Sequence, residues 1–183
     1  MNAQAEAIEI STPVAPSHPL AGPAPAKVMV SGEYLSFRLG SEEYGIDILR
    51  VQEIRSYETP TRIAGAQDFI KGVINLRGVI VPIVDLRMRL GCDSAEHTDS
   101  TVVIVLNVRG RVVGAVVDSV SDVVALSPAQ IKPTPEMGSS VQACHLTGIG
   151  CVGQGDARRM LILMDIEAFM SSSDMGLMDG DFR

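Results

Sequence analysis

The chain has no tryptophan and only three tyrosines and four phenylalanines, so aromatic residues make up 4% of its 183 positions. Hydrophobic residues still reach 46%. The core must therefore be aliphatic, and β-branched aliphatics favour strands because their stiff χ1 rotamers pack well on a pleated surface. Positive charge is also short: 15 Lys and Arg stand against 22 Asp and Glu, for a net charge of -7. A nucleic-acid partner needs clustered cations and stacking aromatics, and this composition argues against one. Cysteine occurs three times, as Cys92, Cys144 and Cys151, which makes no even disulfide framework and points to a reducing compartment. No apolar run approaches the ~20 residues of a membrane helix, and no basic stretch leads into an apolar one at the N-terminus. The expectation is a cytosolic protein with no direct membrane insertion.

The usual catalytic groupings fail in turn. Gly148-Ile149-Gly150-Cys151-Val152-Gly153 matches G-x-G-x-x-G. A dinucleotide loop of that form must open a helix whose N-terminus faces the pyrophosphate. Here it runs through Gln154-Gly155-Asp156-Ala157 into the apolar run Met160–Met164, so a hairpin loop is expected. Cys144-His145, Cys151, Cys92 and His97 could be imagined around zinc, but there is no C-x-x-C spacing. On a strand, Cys144 and His145 would face opposite ways. Asp85, Asp118 and Asp165 each follow an apolar run and read as strand-end acids that accept from turn amides. The chain is expected to be no enzyme, with no catalytic residue, no metal and no cofactor.

Residues 1–30 hold Pro13, Pro16, Pro19, Pro23 and Pro25 and no aromatic residue. Such a segment buries too little apolar surface to offset its ordering entropy, so a disordered tail is predicted there. From Tyr34 onward the chain resembles itself at an offset of 69. Tyr34–Leu39 falls on Val103–Val108, Gly45 on Gly114, Ile48 on Val117, Val51 on Val120, Glu53 on Asp122 and Ile54 on Val123. Later, Lys71-Gly72-Val73 resembles Thr147-Gly148-Ile149, and Ile83–Leu86 resembles Leu163–Ile166. The reading is one region, 31–170, of two similar antiparallel lobes, about 34–90 and 101–168, each closing into a small barrel so that no sheet edge is left bare. Residues 91–100 form the polar connector. Residues 171–183 form a tail that can carry a short capped helix.

Between Asp68 and Leu86 lie two strand-like runs, Ile70–Leu76 and Val79–Leu86, separated by Arg77-Gly78, where glycine supplies the positive φ of a tight turn. The full run reads Phe-Ile-x-Gly-Val-x-Asn-Leu-Arg-Gly-x-Ile-x-Pro-Ile-Val-Asp-Leu. It resembles the signature of the bacterial chemotaxis coupling proteins, the CheW-like domain family. Glu43–Ile48, Val51–Ile54, Val112–Asp118 and Arg159–Leu163 extend the likeness over nearly everything after the tail.

That resemblance implies an all-β fold of two SH3-like five-stranded barrels sharing a hydrophobic interface. It implies a non-enzymatic adaptor that links the regulatory domain of the histidine kinase CheA to the cytoplasmic tips of transmembrane chemoreceptors in a membrane-bound array. A coupling protein of a paralogous pathway, controlling pili, biofilm or second-messenger output, is the alternative within the family. By the same likeness, Val51, Glu53, Ile54, Arg77, Val102 and Val103 would face the receptor. Leu35 and Ile48 would form part of an outer apolar patch facing the kinase.

Overall fold

The computed structural model describes residues 31–92, 95–135 and 145–172. The expected disordered tail, Cys144 and nearly all of the C-terminal tail fall outside those residues. The chain forms β1 (Gly32–Leu39), β2 (Glu42–Asp47), β3 (Val51–Ser56), β4 (Ile70–Leu76), β5 (Val79–Asp85), α1 (Leu86–Arg89), β6 (Val102–Val108) and β7 (Arg111–Val117). It continues through β8 (Ser119–Leu126), β9 (Ile131–Lys132), β10 (Leu146–Val152), β11 (Arg159–Met164) and α2 (Ile166–Met170). The all-β class expected from the aliphatic composition is the class observed.

Local chemistry explains the hairpins. At the β4–β5 turn Arg77 has φ 52 and Gly78 φ 85, the pair of left-handed residues that matches strand twist in a two-residue hairpin. The Gly78 amide donates to Asn75 Oδ1 at 2.8 Å. The β6–β7 turn repeats the device with Arg109, Gly110 and Asn107. Both short helices open on an aspartate: Asp85 Oδ1 accepts from the Arg87 amide, and Asp165 Oδ1 from the Ala168 amide. These N-caps satisfy orphan first-turn donors.

The strands do not divide into sheets as the two halves of the chain suggested. One sheet has the order β8-β1-β2-β11-β10-β9 and the other β3-β6-β7-β5-β4. Each copy of the repeat therefore lends its first hairpin to the other copy's sheet. Lobe boundaries at 34–90 and 101–168 are corrected accordingly: one lobe is β3–β7, and the other is β1–β2 with β8–β11.

Each loaned hairpin attaches on one side by an antiparallel pairing, β1 with β8 and β6 with β3, and on the other by a parallel one. β2 pairs with β11 (Tyr44 beside Ile162, Gly45 beside Leu163), and β5 pairs with β7 (Ile83 beside Gly114, Asp85 beside Val116). Glycine makes room for close side-chain packing at both joints. A Cβ on Gly114 would stand 2.5 Å from Ile83 Cδ1, and one on Gly45 would stand 2.9 Å from Leu163 Cδ2.

Three apolar cores follow from this exchange. Leu76, Val81, Ile83, Val103, Val105 and Val116 fill the five-stranded lobe, while Val124, Leu126, Ile131, Leu161 and Leu163 fill the six-stranded one. The third core lies between the lobes and draws on both, including Leu35, Phe37 and Ile46 from one sheet and Val84, Ile104 and Leu106 from the other. β6 is thus buried on both faces, which is why Val102–Val108 carries almost no polar residue. The six-stranded sheet curls until β8 meets β10, where Leu126 packs over Gly150. In the other lobe Thr61 exchanges two backbone hydrogen bonds with Val73, so the chain leaving β3 returns to the edge of β4.

Candidate functional site

Strand register brings the expected receptor-facing residues together. β3 runs antiparallel to β6, with Val51 opposite Leu106, Ile54 opposite Ile104, Arg55 opposite Val103 and Ser56 opposite Val102. Arg77 comes from the β4–β5 turn, and its Nη2 donates to Glu53 Oε2 at 2.7 Å. The Arg77 side chain is 77% exposed and that of Glu53 25%. The other carboxylate oxygen, Glu53 Oε1, is buried and has no hydrogen-bond donor in the described chain; Arg55 Nη1 lies 3.8 Å away. Ile54 is exposed, whereas Val51 and Val102 are half-buried against the shared core. The edge strand β3 thus presents the exposed Ile54 on the side of the shared core and the Arg77–Glu53 pair, with spare donors on the arginine, on its other side.

Two expected contacts are corrected by burial. Val103 is 3% exposed and points into the core of its own lobe, because strand alternation sends it opposite to Val102. Leu35 is 2% exposed and belongs to the shared core, so it forms no part of an outer patch. Ile48 is half-buried against that same core, at the 3-10 turn Ile48–Arg50 that carries the chain from one sheet to the other. The exposed apolar residue of this crossover is its neighbour Leu49. The resemblance that named Leu35 and Ile48 did not name Leu49, and alternation could not find it because it lies past the end of β2, in the 3-10 turn.

The face around Glu53 has a counterpart in the second lobe. Arg159 Nη2 donates to Asp122 Oδ2 at 2.6 Å and its Nη1 to Glu43 Oε1 at 2.9 Å, while Val123 beside Asp122 and Met160 beside Arg159 are exposed. Hydrogen bonds from Ser36 and then Arg159 hold the Asp122 carboxyl below the usual carboxylate range. The offset of 69 had already laid Glu53 on Asp122 and Ile54 on Val123, so this second acid was recoverable from the repeat, whereas its arginine, which does not fall on Arg77 at that offset, was not. The glycine run 148–153 lies on β10 and the hairpin turn into β11. Cys92 and Cys151 are free thiols, and burial pushes the Cys92 thiol up. Among the described residues no group of three or more His, Cys, Asp or Glu is placed to hold a metal ion.

Residues 33–174 match the family described as CheW-like domain. Over 150 residues the chain is 56% identical to the chemotaxis protein CheW of Klebsiella aerogenes, covering 82% of this chain and 88% of the relative. It is 38% identical over 151 residues to the chemotaxis protein CheW of Rhizobium meliloti, with 81% and 95% covered. Among solved structures, the scaffolding protein TtCheW from Thermoanaerobacter tengcongensis superposes with a TM-score of 0.67 at 28% identity, covering 78% of this chain and 94% of that one.

Proposed function

The chain belongs to the CheW-like domain family, non-enzymatic scaffolds of bacterial chemotaxis, and we propose that it joins the cytoplasmic tips of chemoreceptors to the regulatory domain of the kinase CheA. The observation that carries this reading is the edge strand β3, with the exposed Ile54 on one side and the Arg77–Glu53 pair on the other. A receptor tip is a helical hairpin, and helices dock by laying an apolar stripe into a groove flanked by polar anchors. Ile54 with the half-buried Val51 and Val102 supplies the apolar floor. Arg77, held by Glu53 on the other side of this edge strand and largely exposed, supplies donors beside it. Val51 and Val102 pack against the shared core, which sets this face beside the joint between the lobes.

The kinase side of the proposal rests on the sheet crossover, where Ile48 and the exposed Leu49 are not part of the receptor-facing ladder. Two separate surfaces allow one adaptor to hold both partners at once, which an array requires. No helix among the described residues is long and apolar enough to cross a membrane, so the proposed place at membrane-bound arrays comes through the receptors. The test is paired binding with purified receptor cytoplasmic fragment and purified kinase regulatory domain. Arg77→Ala should weaken the first and spare the second, and Leu49→Asp should do the reverse. A chain binding neither fragment would remove the reading altogether.

A further inference from the structure

Among the described residues the backbone passes between the two sheets at only two places: the 3-10 turn Ile48–Arg50 between β2 and β3, and Asp118 between β7 and β8. The second crossing is gripped by a buried arginine. Arg87 on α1 has a side chain with no solvent exposure. Its Nε and Nη2 donate to the two oxygens of Asp85 at 3.0 and 2.8 Å, and its Nη1 donates to the Glu96 carbonyl at 2.6 Å and to Asp118 Oδ1 at 3.0 Å. Nη2 also faces His97 Nε2 at 3.3 Å. The other oxygen of Asp118 accepts from the Gly40 amide at 2.6 Å, and the Asp118 amide donates to the Arg38 carbonyl. One guanidinium therefore ties β5, the connector and the crossing residue of the five-stranded lobe. The crossing carboxylate passes that tie to the β1–β2 turn of the six-stranded lobe.

A buried ion network is a poor source of net stability, because apolar residues of equal volume often fold as well. What a fully satisfied network fixes is geometry, since each donor and acceptor accepts only a narrow arrangement. The shared core between the lobes is apolar, aliphatic residues packed with Phe37, Tyr44 and Phe169, and apolar burial is non-directional where hydrogen bonds are directed. We propose that Arg87 is a positioning residue: through Asp118 it sets the angle between the two sheets. On the reading given above for the receptor, this angle also sets the shape of the joint beside Val51 and Val102. The five-donor planar fork suits that task, and a lysine could not replace it.

The experiment compares residual dipolar couplings of backbone amides in the two sheets for the full chain and two variants. Asp118→Asn keeps an acceptor for Gly40 and removes the charge that faces Arg87. The double variant Arg87→Met with Asp85→Leu replaces the buried pair by apolar side chains of similar size. In both, couplings within each sheet should keep the native pattern while the two sheets rotate relative to each other. An unchanged inter-sheet orientation in the variants that fold would overturn the proposal, and Asp118→Asn decides alone if the double variant does not fold. Binding of a receptor cytoplasmic fragment is measured alongside and should weaken about tenfold, roughly the coupling within one such network. Rotation without any loss of binding would uphold the role of Arg87 and count instead against the joint as the receptor face.

Discussion

Arg77 and Glu53 stand at opposite ends of one sheet's strand order and meet across it. The order is β3-β6-β7-β5-β4, Glu53 lies on β3, Arg77 forms the β4–β5 turn, and Nη2 and Oε2 are 2.7 Å apart. The pair closes the lobe on one side while keeping the guanidinium in solvent. An ion pair so exposed adds little stability, on the order of 0–1 kcal/mol. Its consequence is orientation: an arginine in a left-handed turn is held at the edge strand β3 instead of sweeping freely.

Arg77→Ala should leave the thermal unfolding of the lobe nearly unchanged and reduce affinity for a receptor cytoplasmic fragment by about tenfold or more, since an anchor desolvated by a partner is worth ~2–5 kcal/mol. Isothermal titration beside a melting curve checks both. Unaltered receptor affinity would mean that this turn faces solvent in the complex.

Leu35 and Leu49 should separate core from surface. Leu35→Ala removes methyl groups from the shared core and should cost about 2–5 kcal/mol in urea unfolding. Leu49→Asp, at a side chain 85% exposed, should unfold like the parent and lose affinity for the kinase regulatory domain. Parental kinase binding by Leu49→Asp would move that contact away from the crossover.

Gly114→Ala should destabilise by roughly 1–3 kcal/mol, the usual range for overpacking, because the new Cβ would meet Ile83 Cδ1 at 2.5 Å and Val103 Cγ1 at 2.8 Å. Adding Ile83→Val removes the nearer atom and should restore part of the loss. Chemical denaturation of the single and double variants measures the coupling directly, and purely additive effects would contradict the packing described.

His97 stacks on Tyr57 with ring centroids 4.0 Å apart and turns Nε2 toward Arg87. Burial first, then the Arg87 cation, push its pKa below the ordinary 6.5, with Lys71 adding to the shift and Asp85 opposing it. A lowered folded-state pKa means that the unfolded chain takes up the proton first. The stabilisation is therefore complete above about pH 6.5 and declines as pH falls toward the folded-state value. Proton NMR of the imidazole should show a midpoint below 6.5, and His97→Phe should flatten the fall in stability over that window. A midpoint at or above 6.5 would mean that Arg87 does not face this ring.

Much of this molecule was legible before folding was considered. The aliphatic, aromatic-poor composition set the β class. Asn75 and Asn107, each two residues before an Arg-Gly pair, mark tight hairpins because the turn needs two left-handed residues and a side-chain acceptor. The offset of 69 identified the duplication, and the run from Phe69 to Leu86 identified the family. These features depend on residues near one another in the chain or on matching segments, which periodicity and spacing can report.

Only the tertiary structure decided which hairpin joins which sheet, because a parallel contact such as Gly114 beside Ile83 leaves no local period in either strand. The same exchange decided burial. Alternation places Leu35 with Phe37 and Leu39 on one face of β1, but it does not say that a second sheet covers that face, nor that Val103 looks inward while its neighbour Val102 borders the joint. The meeting of Arg77 with Glu53, and of Arg87 with Asp118 across 31 positions, likewise followed from the fold. A side-chain pair forms where strands from distant parts of the chain are brought into register, and that register is a property of the packed whole.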